Sequence, residues 1–227
     1  RPRAVNGLDL GLGALEEDMW RVVFLMTRLG AALLVAPFFG ATSVPMSVRV
    51  SITGALAIFV SVWMPEIATP PALLSLEGLL AVAGEVIIGL ALGFVLQLAF
   101  AAPTVAAELI SGGMGMSMAV SQDAMGGGTT TSFGQYFVIV LTLIFLATGA
   151  HLHWIALVTE SYNAFPPGQT WLGADRFAAI AGFASFMFET ALRIALLVTV
   201  ILLLVQVLTG VLSRSAPSLN LFALGLP

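Results

Sequence analysis

Apolar residues arrive along this chain in long runs, broken by short clusters of Pro, Gly and polar residues. A helix that crosses roughly 30 Å of hydrocarbon needs about 20 such residues, so each run is a candidate span. The first covers residues 20–39, ends at Pro37 and Gly40, and carries Arg21 and Arg28 on one face. A loop is predicted over 41–48. The run at 50–64 follows, about 22 Å long at 1.5 Å per residue and short for an ordinary crossing. Pro65, Pro70 and Pro71 mark a rigid linker. A third helix is predicted over 76–102, where Pro103 interrupts the run; the stretch resumes at Thr104 and carries Glu108. Residues 121–134 are polar, rich in Gly and Thr, and predict a loop. A fourth helix is expected over 135–161, before Pro166, Pro167 and Gly168. The last, over 177–213, would reach roughly 55 Å if unbroken, more than a bilayer core. Another apolar element begins at 216–227. The pattern predicts an all-α membrane protein, one helical domain over 1–227 with a polar segment at 1–19.

Composition sharpens this. Of the 227 residues 59% are hydrophobic and 9% charged, against about 25% charged in a soluble domain. So few charges cannot clothe a water-facing surface. All eight basic residues are Arg, which excludes a Schiff-base lysine, a Walker A lysine and a Lys-rich patch. The net charge of −4 owes much to Asp9, Glu16, Glu17 and Asp18, and nucleic-acid binding needs clustered positive charge instead. Without Cys there is no disulfide, thiolate nucleophile or Cys-based zinc site. His151 and His153 stand at i, i+2, which points them to different helix faces, so no metal site is expected. Arg49, Arg176 and Arg214 are too scattered to fix orientation by the positive-inside rule. The chain begins at Arg1 without a signal-peptide pattern, and a trimmed chain is expected.

Charges embedded in apolar helices suggest function by default. Glu189 and Arg193 are i, i+4 and can pair on one helix face with no other role. Glu85 has no cation near it on its own helix; it needs a partner from another helix or chain, as a packing contact or as a proton-relay carboxylate. Gly89 and Gly93 form a GxxxG pair that admits a close neighbouring helix. His151, after Thr148-Gly149-Ala150, is expected to be structural. The most unusual stretch is 111–123, where Gly112, Gly113 and Gly115 alternate with Met114, Met116 and Met118 around Ser117. Glycine weakens helix by about 1 kcal/mol per residue, and Met is unbranched and fills irregular gaps. A compliant apolar seal and a Gly-rich loop near core methionines are both open on composition. Residues 125–131 lack the Lys of a phosphate-binding loop, and Ser161 with His151 lacks the context of a hydrolase.

Several segments together resemble the FliR family of flagellar export-gate proteins, whose injectisome relatives are called SctT. They are Arg28-Leu-Gly, Pro37-Phe-Phe-Gly40, Val44-Pro45 and Val48-Arg49; Gly84-Glu85 through Gly89 to Gly93-Phe94; and the Gly/Met stretch leading to Asp123. Leu143-Ile-Phe145-Leu, Gly149-Ala-His151, Ser161 and Pro166 follow, and then Arg214-Ser-Ala-Pro217 through Asn220 and Phe222 to Pro227. Order and spacing over residues 20–227 make the combination specific. Ala150 and Ser218 depart locally from the family's usual Gly and Gln.

The resemblance implies a fold of FliP-like and FliQ-like helical hairpins within a helical export-gate assembly, lacking here the family's C-terminal helices. It implies a non-enzymatic subunit of the flagellar type III export gate in the bacterial inner membrane, at the flagellar basal body. Its expected partners are FliP and FliQ homologues, other export-apparatus membrane proteins, membrane lipid and, transiently, unfolded exported proteins; no cofactor and no nucleic acid are expected. Gly112, Gly113, Met114, Gly115, Met116, Ser117 and Met118 would form a pore plug. Arg28, Glu85, Gly89, Gly93, His151, Glu189 and Arg193 would serve helix packing or assembly. The alternatives are the same role in a virulence-type injectisome, a stand-alone proton-coupled transporter using Glu85 and Glu189, and a structural anchor without a pore role.

Overall fold

The computed structural model describes residues 12–41, 44–70, 75–114, 120–122, 129–168 and 173–215. In chain order they form α1 (Leu12–Val35), α2 (Met46–Trp63), α3 (Leu76–Gly113), β1 (Val120–Gln122), β2 (Thr129–Thr131), α4 (Ser132–Ala147), α5 (Ala150–Ala164) and α6 (Ala174–Ser215). Among the described residues, Met46–Trp63, Leu76–Gly113 and Phe177–Leu212 are long and apolar enough to cross a membrane. A fourth crossing results if α4 and α5 count as one broken span. The chain is an all-α membrane protein in architecture, with one small two-stranded ladder among the described residues.

Several boundaries differ from those the apolar runs predict. The first run, 20–39, is absent from the spanning set, because every eighteen-residue stretch of α1 holds at least three charged residues. It also ends at Val35, before a turn in which Phe38 takes a φ of 72°. Pro45, at φ −58°, stands ready to start a helix. α2 therefore begins inside the predicted loop, and its 18 residues reach about 27 Å.

Pro103 does not end α3, whose 38 residues run through it. The proline removes the N–H that would reach the Ala99 carbonyl. The next residue, Thr104, donates its hydroxyl to Phe100 O at 2.9 Å, one carbonyl beyond the one that the proline leaves free.

Residues 121–134 are not all loop. β1 and β2 pair antiparallel, Val120 opposite Thr131 and Gln122 opposite Thr129, and α4 starts at Ser132. The predicted helix over 135–161 is two helices, since Gly149 adopts a φ of 70°. Only glycine enters that region without strain, and its N–H bonds to Leu146 O at 3.1 Å to close α4. α6 is unbroken over 42 residues, about 63 Å.

The chain divides into two compact units, Arg1–Phe94 with Leu152–Phe177, and Val95–His151 with Ala178–Pro227. In the first, α1 is the hub: Phe24, Leu25 and Ala32 are fully buried. α2 runs antiparallel to it, for Arg21 reaches the Met64 carbonyl while Gly30 faces the Thr53 methyl. In the second unit, α3 and α6 lie side by side and parallel. Leu98 and Ala102 meet Met187, then Ala106 and Ile110 meet Ala191 and Ala195, and Gly113 meets Thr199 and Leu202. Alanine on both sides keeps the two backbones close.

Candidate functional site

Two polar constellations stand out, one in each unit. In the first unit, α1 carries Arg28 into a site with no solvent exposure. Its Nε donates to Glu85 Oε2 at 2.7 Å and one Nη2 hydrogen to Glu85 Oε1 at 2.8 Å. That two-pronged grip suits the planar guanidinium. Nη2 also donates to Phe165 O at 2.7 Å, and Nη1 to Ser161 Oγ at 3.1 Å. Four of the five N–H donors are thereby satisfied. The Tyr162 ring lies 4.1 Å from the guanidinium carbon, and its hydroxyl donates to Leu25 O at 2.8 Å. The partner Glu85 requires is therefore on another helix of the same chain.

Gly89 and Gly93 explain how α3 comes so near α1. A methyl group on Gly89 would overlap the Arg28 carbonyl oxygen and the Ala31 side chain; on Gly93 it would meet the Ala32 carbonyl oxygen. Both positions must be glycine for Glu85 to reach Arg28 at this separation.

In the second unit the Gly/Met stretch divides. Gly112 and Gly113 are the last residues of α3, and Met114 packs beside Ala106, Ile110, Ala191 and Ala195. Helix thus continues through two of the three glycines, supported by packing against α6. Gly115, Met116, Ser117 and Met118 lie outside the described residues, as do 1–11, 123–128 and 216–227.

The stems on either side of that stretch are joined. Glu108 Oε1 accepts from Thr131 N and from Thr131 Oγ1, each at 3.1 Å. Thr131 Oγ1 in turn accepts from Gly134 N at 3.1 Å, capping α4. Ser111 Oγ lies 3.2 Å from the same hydroxyl. A hydroxyl has one proton; that of Thr131 goes to Glu108, so Ser111 is the donor to it. Thr131 then uses one donor and two acceptor positions, its full capacity, and both it and Ser111 are buried. Gln206 on α6 donates to the Gly113 carbonyl.

The remaining expected residues lie apart from these sites. Glu189 and Arg193 pair at 2.6 Å as i, i+4 neighbours on the exposed surface of α6. His151 opens α5 with its ring 6.2 Å from that of Phe145 and its Nδ1 buried. Ser161 entered the sequence reading only as a motif residue and a rejected nucleophile, not as a ligand of Arg28; Tyr162 at the same site, and Thr131 beside Glu108, were not singled out by the sequence pattern. For Thr131 a signal exists: a Thr just ahead of an apolar run is an N-cap candidate.

Comparison with known proteins gives the chain relatives along most of its length. Residues 19–227 match the family described as bacterial export proteins, family 1. The flagellar biosynthetic protein FliR of Pectobacterium carotovorum is 30% identical over 88% of this chain and 76% of its own length. The protein of that name from Escherichia coli is 29% identical over 89% and 77%. That from Bacillus subtilis is 29% identical over 90% and 80%.

Proposed function

The chain belongs to the bacterial export proteins, family 1, and from that membership we propose that it is a subunit of the flagellar protein export gate. It assembles in the bacterial inner membrane with FliP and FliQ homologues, and the assembly forms the channel through which unfolded flagellar proteins leave. The role is passage, not catalysis. The observation that carries this reading is the alignment of nearly the whole chain with flagellar FliR proteins from organisms as distant as Escherichia coli and Bacillus subtilis.

The geometry fits such a role. α6 exposes apolar side chains on most of its surface, Leu196, Leu197, Leu203 and Leu208 among them, which calls for cover by lipid or neighbouring subunits. The Gly/Met stretch at 112–118 is the barrier that closes the channel before export, its methionines supplying an apolar seal. Arg28, Glu85, Gly89 and Gly93 shape the first unit for assembly.

Co-expression of the tagged full-length protein with its FliP and FliQ homologues, followed by native mass determination, tests the assignment. A discrete complex containing both partners is the expected result. A stable protein that purifies without them would overturn it and favour a stand-alone transporter.

A further inference from the structure

The barrier stretch is bounded by a chemically complete joint. Ser111 lies on α3 just before it, Thr131 ends β2 further along the chain, immediately ahead of α4, and Glu108, one turn back from Ser111, accepts twice from Thr131. Every position on the Thr131 hydroxyl is used, and the Glu108 carboxyl stands where the first N–H groups of α4 point. Carboxyl groups are favoured at that end of a helix dipole. A methyl group on Gly134 would collide with Glu108 Oε1, so the sequence leaves room for the carboxyl and nothing else. On the other side Gly113 is held to α6 through Gln206, Thr199 and Leu202.

Resting on the reading of 112–118 as the barrier, we infer that Glu108 is its positioning residue. Through Thr131 and Ser111 it fixes the two stems to each other, and the stems stay joined while the channel exports. Sequestered hydrogen bonds to a carboxylate are among the stronger ones; a partly buried joint with two of them, and two more bonds to the Thr131 hydroxyl, suits an anchor more than a latch that releases at each passage.

The test uses the full-length protein in the assembled gate, with complex recovery, ion leak and export each measured. Glu108→Ala and Thr131→Val should raise the leak by about tenfold, the factor for losing a hydrogen bond to a charged group, in gates that still contain the partner subunits. Glu108→Gln, which keeps an accepting oxygen, and Thr131→Ser, which keeps the hydroxyl, should hold the barrier. The paired change S111C with T131C adds a switch, because the chain has no other cysteine. Reduced, it should leak; oxidised, it should be tight and should export normally.

Export blocked by the disulfide and restored by reductant would show that the stems must part, and would overturn the inference. So would tight gates from both Glu108→Ala and Thr131→Val, provided that deleting 114–118 makes the gate leak. If that deletion leaves the leak unchanged, the barrier reading itself has failed. Should Glu108→Ala prevent assembly, the Gln and Ser variants and the cross-linked pair decide the matter.

Discussion

Two Arg–Glu pairs of the same chemistry sit in opposite surroundings. Arg28 and Glu85 are 57 residues apart in sequence and have side chains 0% and 2% exposed. Glu189 and Arg193 are one helical turn apart and have 56% and 76% exposed side chains. Their shortest contacts are alike, 2.7 and 2.6 Å. What differs is the number of groups that depend on each. Arg28 holds α1, α3 and α5 in one arrangement, whereas Arg193 meets a residue its own helix brings to it whatever the fold. Distance alone therefore says little about what an ion pair does; burial and the reach of its contacts say more.

That contrast can be broken most severely at Arg28. Arg28→Ala leaves Glu85 buried without its cation, a situation that costs about 3–5 kcal/mol, and the full-length protein should lose thermal stability in detergent accordingly. The double change Arg28→Ala with Glu85→Ala should recover part of the loss; a double variant as unstable as the sum of the two singles would deny the coupling. Next comes Gly89→Ala, which forces α1 and α3 apart and should cost about 1–3 kcal/mol, read in the same melting experiment. Tyr162→Phe keeps the ring against the guanidinium and removes the bond to Leu25 O, for a loss of about 1 kcal/mol. The smallest effect belongs to the exposed pair. Glu189→Gln should change the stability of the isolated chain by less than about 0.5 kcal/mol, yet lower the yield of complex with FliP and FliQ homologues. An unchanged yield would remove Glu189 from the assembly surface.

The sequence was most legible where a single helix decides the outcome. Apolar runs located α2, α3 and α6, and the spacing of Glu189 and Arg193 implied their contact. It was less legible where an exception depends on neighbours. Pro103 reads as a break, and only the surrounding helix shows that it is carried through. Gly149 reads as one more small residue in an apolar run, yet its backbone angle separates α4 from α5. Long-range partners were out of reach for another reason: nothing local in Glu85 names Arg28, nor in Glu108 names Thr131. The embedded charge of Glu85 flagged that a partner was needed, Glu108 carried no such flag, and the fold supplied both.

The ligands of Arg28 also impose a schedule on synthesis. Glu85 lies 57 residues downstream, Ser161 lies 133 and Phe165 lies 137. At about 5–20 residues per second, the carboxylate emerges roughly 3–11 s after the arginine and the last carbonyl roughly 7–27 s after it. Until Glu85 has been made, α1 holds an uncompensated cation, which is costly in hydrocarbon. The set of partners around Arg28 is complete only once α5 has been made.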